Sequence, residues 1–292
     1  MRIGIFGKNI NENYYPHLLK IISTLNKKQA HISMYWPFFK TLNKDFLQQV
    51  HIDHYIEKKE EFMELDLLFS IGGDGTFLES IKFIRDSNIP IVGFNSGRLG
   101  FLADISKNQI ENALQQIFAN EYRIEERSLL ELISPENQFG TFNYALNEVT
   151  FHKSDTSSMI TIHTFINGHK LNSYWADGLI ISSPTGSTAY SMSAGGPIMS
   201  PDSNNFIITP IAPHHLTVRP IVVPDNYKLR FEIEGRGEHF LTSLDSRSEV
   251  TAFSAKMEVK KADFNIRIIK LRDHDFYSTL RNKLMWGQDN RN

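Results

Sequence analysis

The segment at residues 67–80, LLFSIGGDGTFLES, constrains the fold more than any other stretch of the chain. It begins with a nearly continuous apolar run, which is typical of a strand that helices cover on both faces. Three glycines and one acid follow, and the next apolar residues recur at helical spacing, at Phe77, Leu78, Ile81 and Ile84. A buried strand that turns directly into a helix predicts one βα unit of a parallel sheet.

The rest of the first 120 residues repeats this alternation. RIGIFG, HISMYW and IPIVGF predict further short strands, with a helix expected between Tyr14 and Leu25. Ser106, with Gln109 three residues later, has the form of a capping box that begins another helix. We therefore predict an α/β domain with a parallel sheet over residues 1–120.

The remainder of the chain has a different pattern, made of short alternating runs such as LLELIS, MITIHTFING and KLRFEIEG. These runs predict β-strands, and Asn167–Gly168 predicts a hairpin because both residues tolerate positive φ. The end of the chain returns to helical spacing at Phe276, Leu280 and Leu284. We predict a mostly-β domain over residues 121–265 and a C-terminal helix within residues 266–292 that packs back on the first domain.

Composition narrows the classes of function. The chain carries 31 basic and 33 acidic residues, a formal net charge of -2, which does not favour nucleic acid or a membrane surface as a partner. Cysteine is absent, which excludes disulfides, thiolate metal sites and cysteine nucleophiles. The N-terminus lacks the pattern of a signal peptide, and no apolar run approaches the ~18 residues needed to cross a bilayer. We therefore expect a soluble, cytoplasmic protein that binds neither nucleic acid nor a membrane.

The glycine turn has the properties of a phosphate-binding site. Gly72, Gly73 and Gly75 lack the Cβ atoms that would keep a ligand from the backbone, and glycine also permits turns with positive φ. The helix that follows presents its N-terminus to the same place, where backbone N–H groups bind anions. The Walker and G-x-G-x-x-G motifs are absent, so any nucleotide must be bound by other means.

Asp74 lies inside this turn, although a carboxylate repels a phosphate. The sequence therefore favours contact of Asp74 with a metal ion or with a substrate hydroxyl. In phosphoryl transfer, an acidic residue that holds the attacking hydroxyl is a recurring part. The alternative is structural, with Asp74 capping the helix at an ordinary strand-to-helix connection.

A second cluster, SSPTGSTAYSMSAGGP at residues 182–197, follows the apolar run GLIIS. It combines backbone amides, hydroxyl groups, glycines and one tyrosine, which suit the polar edge and flat face of a heterocycle, or a phosphate. The alternative is a Gly/Ser-rich connection between two strands.

Five motifs of the chain resemble, in order, those of the NAD kinases. They are GGDGTFL at 72–78, NSGRLGFL at 95–102, LNEVTF at 146–151, DGLIISSPTGSTAYSMSAGGPI at 177–198 and APHHLTVRPIVVP at 212–224. GGDGT alone is shared with diacylglycerol and sphingosine kinases and resembles a motif of 6-phosphofructokinase, whereas the Ser/Thr-rich motif together with Asn-Glu is specific. The resemblance covers both predicted domains and essentially the whole chain.

The resemblance implies a reaction and a set of site residues. The reaction is transfer of the γ-phosphate of ATP, with a divalent metal such as Mg²⁺ on its phosphates, to the adenosine-ribose 2′-hydroxyl of NAD, which gives NADP. Asp74 is the implied proton acceptor, and no residue is assigned as a metal ligand. The implied nucleotide contacts are Gly72, Gly73, Gly75, Phe101, Asn147, Glu148, Asp177, Thr188, Ala189, Tyr190, Ser193 and Ala212. The family also implies a homodimer or a homotetramer.

Several positions depart from patterns common in bacterial members of the family, among them Trp175, Ser158 and Arg247. The expected fold and reaction do not depend on them. They affect the contacts expected at the nicotinamide end, the expected preference between NAD and NADH, and the expected inhibition by NADPH.

Two rival functions share part of this pattern. A lipid kinase of the diacylglycerol or sphingosine class shares GGDGT but needs an apolar groove for acyl chains, whereas the loop at 182–197 favours a polar acceptor. A dinucleotide sensor without catalytic activity requires that loop but does not require Asp74.

Overall fold

The structure is a computed structural model, and it describes residues 1–154 and 158–285. The chain divides into two compact units. The first unit combines Met1–Glu126 with the C-terminal segment that begins at Ile266, and the second unit is Arg127–Asn265. Residues 286–292, at the end of the predicted C-terminal region, lie outside the described residues.

The first unit contains a parallel sheet. Its strands are β1 (Arg2–Gly7), β2 (His31–Tyr35), β3 (His54–Ile56), β4 (Leu67–Gly72) and β5 (Ile91–Asn95). They lie in the order β5–β4–β1–β2–β3, and each neighbouring pair is parallel. The helices before residue 120 are α1 (Tyr15–Lys27), α2 (Trp36–Phe39), α3 (Lys44–Leu47), α4 (Asp74–Ile84) and α5 (Ile110–Phe118).

Apolar side chains of these helices and strands form one core in the first unit. α1 begins with a proline in its first turn and buries one face, formed by Leu18, Ile21, Ile22 and Leu25. Leu114 and Ile117 of α5 join the same cluster, as do strand residues such as Ile5 and Phe69. The predicted capping box of Ser106 and Gln109 is confirmed, and it begins a short 3₁₀ helix (Lys107–Gln109) that leads into α5.

One predicted strand ends earlier than its sequence pattern indicated. HISMYW was expected to be extended throughout, but β2 ends at Tyr35 and α2 begins at Trp36. Pro37 explains the difference, because proline fits the first turn of a helix and removes a donor that a strand needs.

The second unit is almost entirely β. Its strands begin with β6 (Tyr122–Ser134), which starts in the first unit, and continue with β7 (Tyr144–Ala145), β8 (Glu148–Lys153), β9 (Ile160–Ile166), β10 (His169–Ala176), β11 (Gly178–Ser182), β12 (Asn205–Ile211), β13 (Ile221–Pro224), β14 (Leu229–Glu234), β15 (His239–Leu244) and β16 (Arg247–Ala252). A short helix, α6 (Tyr190–Ser193), follows a 3₁₀ turn (Thr185–Thr188). The hairpin predicted at Asn167–Gly168 is confirmed, and both residues have positive φ, 48° and 84°.

Antiparallel pairing organises this unit. One sheet has the order β13–β12–β11–β8–β15–β16, and β10, β9 and β14 are neighbours in another. Phe151 of β8 and Phe231 of β14 lie with their ring centroids 5.0 Å apart in a shared core. The two sheets therefore bury their apolar faces against each other, as in a β-sandwich.

The C-terminal region contains the long strand β17 (Lys256–Leu271) and the helix α7 (Phe276–Leu284). β17 pairs with β14 in the second unit, and its last part, at Ile268, pairs in parallel with Ile91 of β5 in the first. α7 belongs to the first unit. The predicted fold class is thus confirmed: an α/β unit with a parallel sheet, a mostly-β unit, and a C-terminal helix that returns to the α/β unit.

Candidate functional site

The glycine turn follows β4 and begins α4. A Cβ atom on Gly72 would lie 2.3 Å from Oγ1 of Thr76, so this glycine is required by packing within the turn itself. A Cβ atom on Gly73 or Gly75 would meet nothing within 4 Å. Neither of these two glycines has the positive φ that the sequence allowed, since Gly73 has a φ of -102° and Gly75 lies inside the helix. Their missing side chains instead leave open space beside the N-terminus of α4.

Asp74 is the first residue of α4, but its carboxylate does not cap that helix. It accepts three backbone hydrogen bonds from the segment that follows β5: Phe101 N–H donates to Oδ2 at 2.9 Å, and Leu102 and Ala103 N–H donate to Oδ1 at 3.0 and 2.9 Å. The capping alternative is therefore wrong for this side chain. Three N–H donors stabilise the charge and fix the orientation of both carboxylate oxygens.

Gly100 makes this arrangement possible. A Cβ atom at Gly100 would lie 1.9 Å from Oδ1 of Asp74, a distance that no side chain can occupy. The motif NSGRLGFL contained this glycine, but the sequence did not indicate that it makes room for Asp74. Asn95 shapes the start of the same loop, because its side chain donates to the carbonyl oxygen of Arg98 at 2.6 Å.

A lysine from the C-terminal helix also reaches Asp74. Nζ of Lys283 in α7 lies 3.6 Å from Oδ2 of Asp74 and 4.2 Å from the ring centroid of Phe101. Sequence reasoning missed this residue because its only local signal is a basic charge in the last turn of a helix, which is common.

A buried ion pair supports the segment that holds Asp74. Nζ of Lys270 lies 2.6 Å from Oδ2 of Asp104, and both side chains are almost fully buried. His274 Nδ1 lies 3.5 Å from the same oxygen, and its other ring nitrogen is 2.9 Å from Nε2 of Gln109. Burial opposes ionisation of Asp104, yet Lys270 and His274 together hold the pKa of that carboxyl below its usual range. The segment after Phe101 is thereby tied to the C-terminal region.

In the second unit, Asn147 and Glu148 lie at the start of β8. The backbone N–H groups of Leu146, Asn147 and Glu148 donate to the carboxylate of Asp245, at distances of 3.0, 2.8 and 3.2 Å. Asp245 occupies the turn between β15 and β16 with a φ of 52° and is half-buried. Sequence reasoning did not single out this aspartate, and it orients the Asn-Glu pair.

The loop at 182–197 packs directly on that pair. A Cβ atom at Gly186 would lie 2.1 Å from the carbonyl oxygen of Asn147, and Ser183 N–H donates to the same oxygen at 2.9 Å. The backbone N–H of Tyr190 donates to the Glu148 carboxyl. The structure therefore brings the predicted residues Asn147, Glu148 and Tyr190 together, and it places Thr188, Ala189 and Ser193 in the same loop.

Glu148 has an unusual environment. Its side chain is buried, and its Oε2 atom has no hydrogen-bond partner among the described residues. Burial, reinforced by the nearby Asp245, raises the pKa of Glu148 to about 8, against the opposing effect of the Tyr190 N–H bond. A buried polar oxygen without a partner is costly in a folded protein, so a ligand that satisfied it would gain affinity.

Asp177 and Ala212 lie close together, just before β11 and just after β12, which are paired strands. The N–H of Asp177 donates to the carbonyl oxygen of Ile211 at 3.0 Å, and Ala212 follows with a φ of 44°. The Asp177 carboxylate forms an ion pair of 2.6 Å with Lys153. Trp175, which departs from the family pattern, is 43% exposed and lies 4.4 Å from the ring of His214.

Arg247, another departure, has a local structural role. Its guanidinium donates to the backbone carbonyl oxygens of Phe142, at 2.6 Å, and Tyr144. It also lies 5.2 Å from the Phe142 ring. Ser158, a further departure, lies two residues before β9.

No cluster of three or more His, Asp or Glu side chains in residues 1–154 and 158–285 has a metal-binding arrangement. Within the same ranges, no helix has the length and apolar character needed to span a membrane.

Comparison with protein families gives two matches that together cover most of the chain. The ATP-NAD kinase N-terminal domain matches residues 3–122, and the ATP-NAD kinase C-terminal domain matches residues 146–271.

Curated relatives match over their full length. The chain is 46% identical to the NAD kinase of Cytophaga hutchinsonii over 297 residues and 43% identical to that of Flavobacterium psychrophilum over 298 residues. In both comparisons 100% of this chain and 100% of the relative are covered.

Solved structures show the same fold. Yeast NADH kinase, complexed with NADH, superposes with a TM-score of 0.86 at 23% identity, over 99% of this chain and 89% of that chain. An NAD kinase from Archaeoglobus fulgidus, in complex with ATP, superposes with a TM-score of 0.78 at 23% identity, over 98% of this chain and 99% of that chain.

Proposed function

The chain belongs to the NAD kinase family, and we propose that it transfers the γ-phosphoryl group of ATP to the adenosine-ribose 2′-hydroxyl of NAD, giving NADP and ADP. The proposal rests mainly on the position of the Asp74 carboxylate. Three backbone N–H groups hold it at a turn that has open space beside Gly73 and Gly75. This arrangement offers a fixed acceptor for a hydroxyl and room for a phosphate, as phosphoryl transfer to an alcohol requires.

Asp74 acts on the attacking hydroxyl. Oδ2 accepts one backbone N–H, whereas Oδ1 accepts two, so we place the 2′-hydroxyl hydrogen bond at Oδ2. The hydroxyl oxygen bonds to the γ-phosphorus while the bond from phosphorus to the β–γ bridging oxygen breaks, and that electron pair leaves with ADP. The hydroxyl proton passes to Asp74. Since a carboxylate is a weak base for an alcohol, proton transfer comes late, and such assistance is worth roughly 10²–10⁴-fold.

Mg²⁺ enters this scheme as part of the ATP substrate. Bound to the phosphates of ATP, it would neutralise charge that develops during transfer. We assign no protein ligand to it.

Dinucleotide binding is assigned to the second unit. Glu148 supports this assignment because its Oε2 is buried without a partner among the described residues. With a pKa of about 8, Glu148 carries its proton at neutral pH, so it both donates to and accepts from a ribose or amide group. The other proposed NAD contacts in this unit are Asn147, Asp177, Thr188, Ala189, Tyr190, Ser193 and Ala212, and those in the first unit are Gly72, Gly73, Gly75 and Phe101.

We also propose that the protein assembles as a homodimer or homotetramer. Support comes from exposed apolar side chains on the two edge strands of the six-stranded sheet: Val222 on β13 is 45% exposed and Val250 on β16 is 62% exposed. Light scattering at assay concentration measures this directly, and a fully active species with a mass near 33.6 kDa would contradict it. Cytoplasmic location and the absence of nucleic-acid and membrane partners stay predictions from the sequence.

A coupled assay tests the reaction. Purified protein is supplied with ATP and Mg²⁺, and with NAD, NADH or a diacylglycerol as acceptor, and NADP(H) is detected with an NADP-specific dehydrogenase. We expect NADP from NAD. Phosphorylated lipid without NADP would instead support the lipid kinase alternative, which the family and structure comparisons do not support.

A further inference from the structure

Lys283 is the one basic side chain of α7 that contacts Asp74 among the described residues. Its Nζ lies 3.6 Å from Oδ2, the oxygen to which the proposed function assigns the 2′-hydroxyl. At this distance the two groups form an ion pair, but they are too far apart for a direct hydrogen bond. Oδ2 can therefore still accept a hydrogen bond from the substrate hydroxyl, with the Lys283 ammonium nearby.

The ammonium of Lys283 retains its hydrogen-bond donors. Within residues 1–154 and 158–285, its contacts are the Asp74 ion pair and the face of the Phe101 ring, 4.2 Å from the centroid. A cation–π contact positions a cation without using an oxygen acceptor. The side chain is 29% exposed, so its three N–H donors are available to a ligand.

We propose that Lys283 is a further catalytic residue, whose ammonium donates hydrogen bonds to the oxygens of the phosphoryl group as it is transferred. This inference rests on the proposed function, because it takes Oδ2 of Asp74 as the place of the attacking hydroxyl. Reacting atoms in a productive complex approach to about 3–3.5 Å, so the phosphorus comes that close to the hydroxyl oxygen. A cation beside the same carboxylate oxygen is then within reach of the phosphoryl oxygens.

The role of Lys283 is charge neutralisation. It stays protonated throughout the step, since the hydroxyl proton goes to Asp74 and the electron pair leaves with ADP. Phosphoryl transfer depends mainly on such positioning and neutralisation by cations. After the step, the same ammonium faces the new 2′-phosphate. Lys283 should therefore favour binding of NADP, which carries that phosphate, over NAD, which does not.

Equilibrium binding and turnover of matched variants test the inference. Lys283→Met removes the charge at similar length, Lys283→Arg retains it, and Arg281→Met removes a charge from the same turn of α7 away from Asp74. Affinities for NADP and NAD are measured by calorimetry without ATP, and kcat is measured in the coupled assay. We expect Lys283→Met to weaken NADP binding about 10-fold, leave NAD binding within about 2-fold, and lower kcat about 10–100-fold.

The controls separate catalysis from packing. Lys283→Arg is expected to recover most of the NADP affinity and turnover, and Arg281→Met to match the wild type. The inference would be overturned if Lys283→Met lost equal affinity for NADP and for NAD, or if its kcat equalled that of the wild type. Both outcomes assume that the wild type forms NADP. A wild-type protein that forms no NADP overturns the proposed function, and this inference with it.

Discussion

Gly100 stands so close to Asp74 that a Cβ atom at this position would lie 1.9 Å from the carboxylate oxygen Oδ1. The loop from Gly100 to Ala103 wraps around that carboxylate and donates three backbone hydrogen bonds to it. Backbone N–H groups thus orient the carboxylate of Asp74, the proposed proton acceptor, so its position depends on the path of the loop.

The first prediction concerns this loop. Gly100→Ala should force Asp74 and the loop apart and lower kcat/KM by about 10²-fold or more, because a displacement of about 1 Å at a reacting group has that effect. Gly97→Ala is the matched control in the same loop, since a Cβ atom there would meet nothing within 4 Å. Steady-state kinetics of both variants check the prediction, and equal activity of the two would contradict it.

The second prediction concerns Asp74→Asn. The amide NH₂ would face backbone N–H donors that now meet an oxygen, so we expect a loss of about 1–3 kcal/mol in the free energy of unfolding. The variant also loses its proton acceptor, and turnover should fall by orders of magnitude. NAD binding, assigned mainly to the second unit, should stay roughly intact. Calorimetry, urea unfolding and the coupled assay measure the three effects, and wild-type turnover would rule out the assigned role.

The third prediction is a pH dependence of stability caused by Glu148. Its pKa is about 8 in the folded protein and near the ordinary value of 4.5 in the unfolded chain. Between these values the folded protein binds a proton that the unfolded chain has released, so the free energy of unfolding falls as the pH rises from 5 to 8. Glu148→Gln keeps an uncharged group at all pH values. Between pH 5 and 8, the free energy of unfolding of this variant should therefore fall by roughly 2–3 kcal/mol less than that of the wild type.

Urea unfolding at pH 5 and pH 8 measures this difference. Glu249→Gln serves as the control because that side chain is exposed on β16. Asp245, whose pKa is also raised by burial, is present in both variants. Parallel pH profiles for the wild type and Glu148→Gln would show that Glu148 does not hold its proton.

The fourth prediction concerns the buried pair of Lys270 and Asp104. Lys270→Met leaves a buried carboxylate without its cation, and we expect a loss of about 3–5 kcal/mol in the free energy of unfolding. Adding Asp104→Asn should recover part of that loss because it removes the unpaired charge. Lys20→Met breaks an exposed ion pair with Glu111 and should cost no more than about 1 kcal/mol.

The pH profile of the wild type gives an independent check on this pair. The pKa of Asp104 is held below its usual range in the folded state, so its contribution to stability is complete above the unfolded pKa near 3.8. That contribution should fade as the pH falls through the folded pKa. The Lys270→Met variant should lose less stability on acidification than the wild type, and an equal loss would argue against the assigned pairing.

Elements that depend on local pattern could be predicted from the sequence. The apolar run before Gly72 and the spacing after it predicted β4 and α4, and the capping box at Ser106 and the hairpin at Asn167–Gly168 were both confirmed. Each of these signals is contained within a few residues, where backbone preferences and periodicity act directly. The motifs around Asp74 and Glu148 likewise identified the family, because their residue types are adjacent in the chain.

The surroundings of these residues, by contrast, depend on tertiary contacts that the sequence pattern does not indicate. The loop at Gly100, the ammonium of Lys283 and the carboxylate of Asp245 all reach their partners from distant parts of the chain. No periodicity or local preference records which distant segments will meet. The burial that raises the pKa of Glu148 has the same origin, because a carboxyl group loses its water only when several elements pack around it.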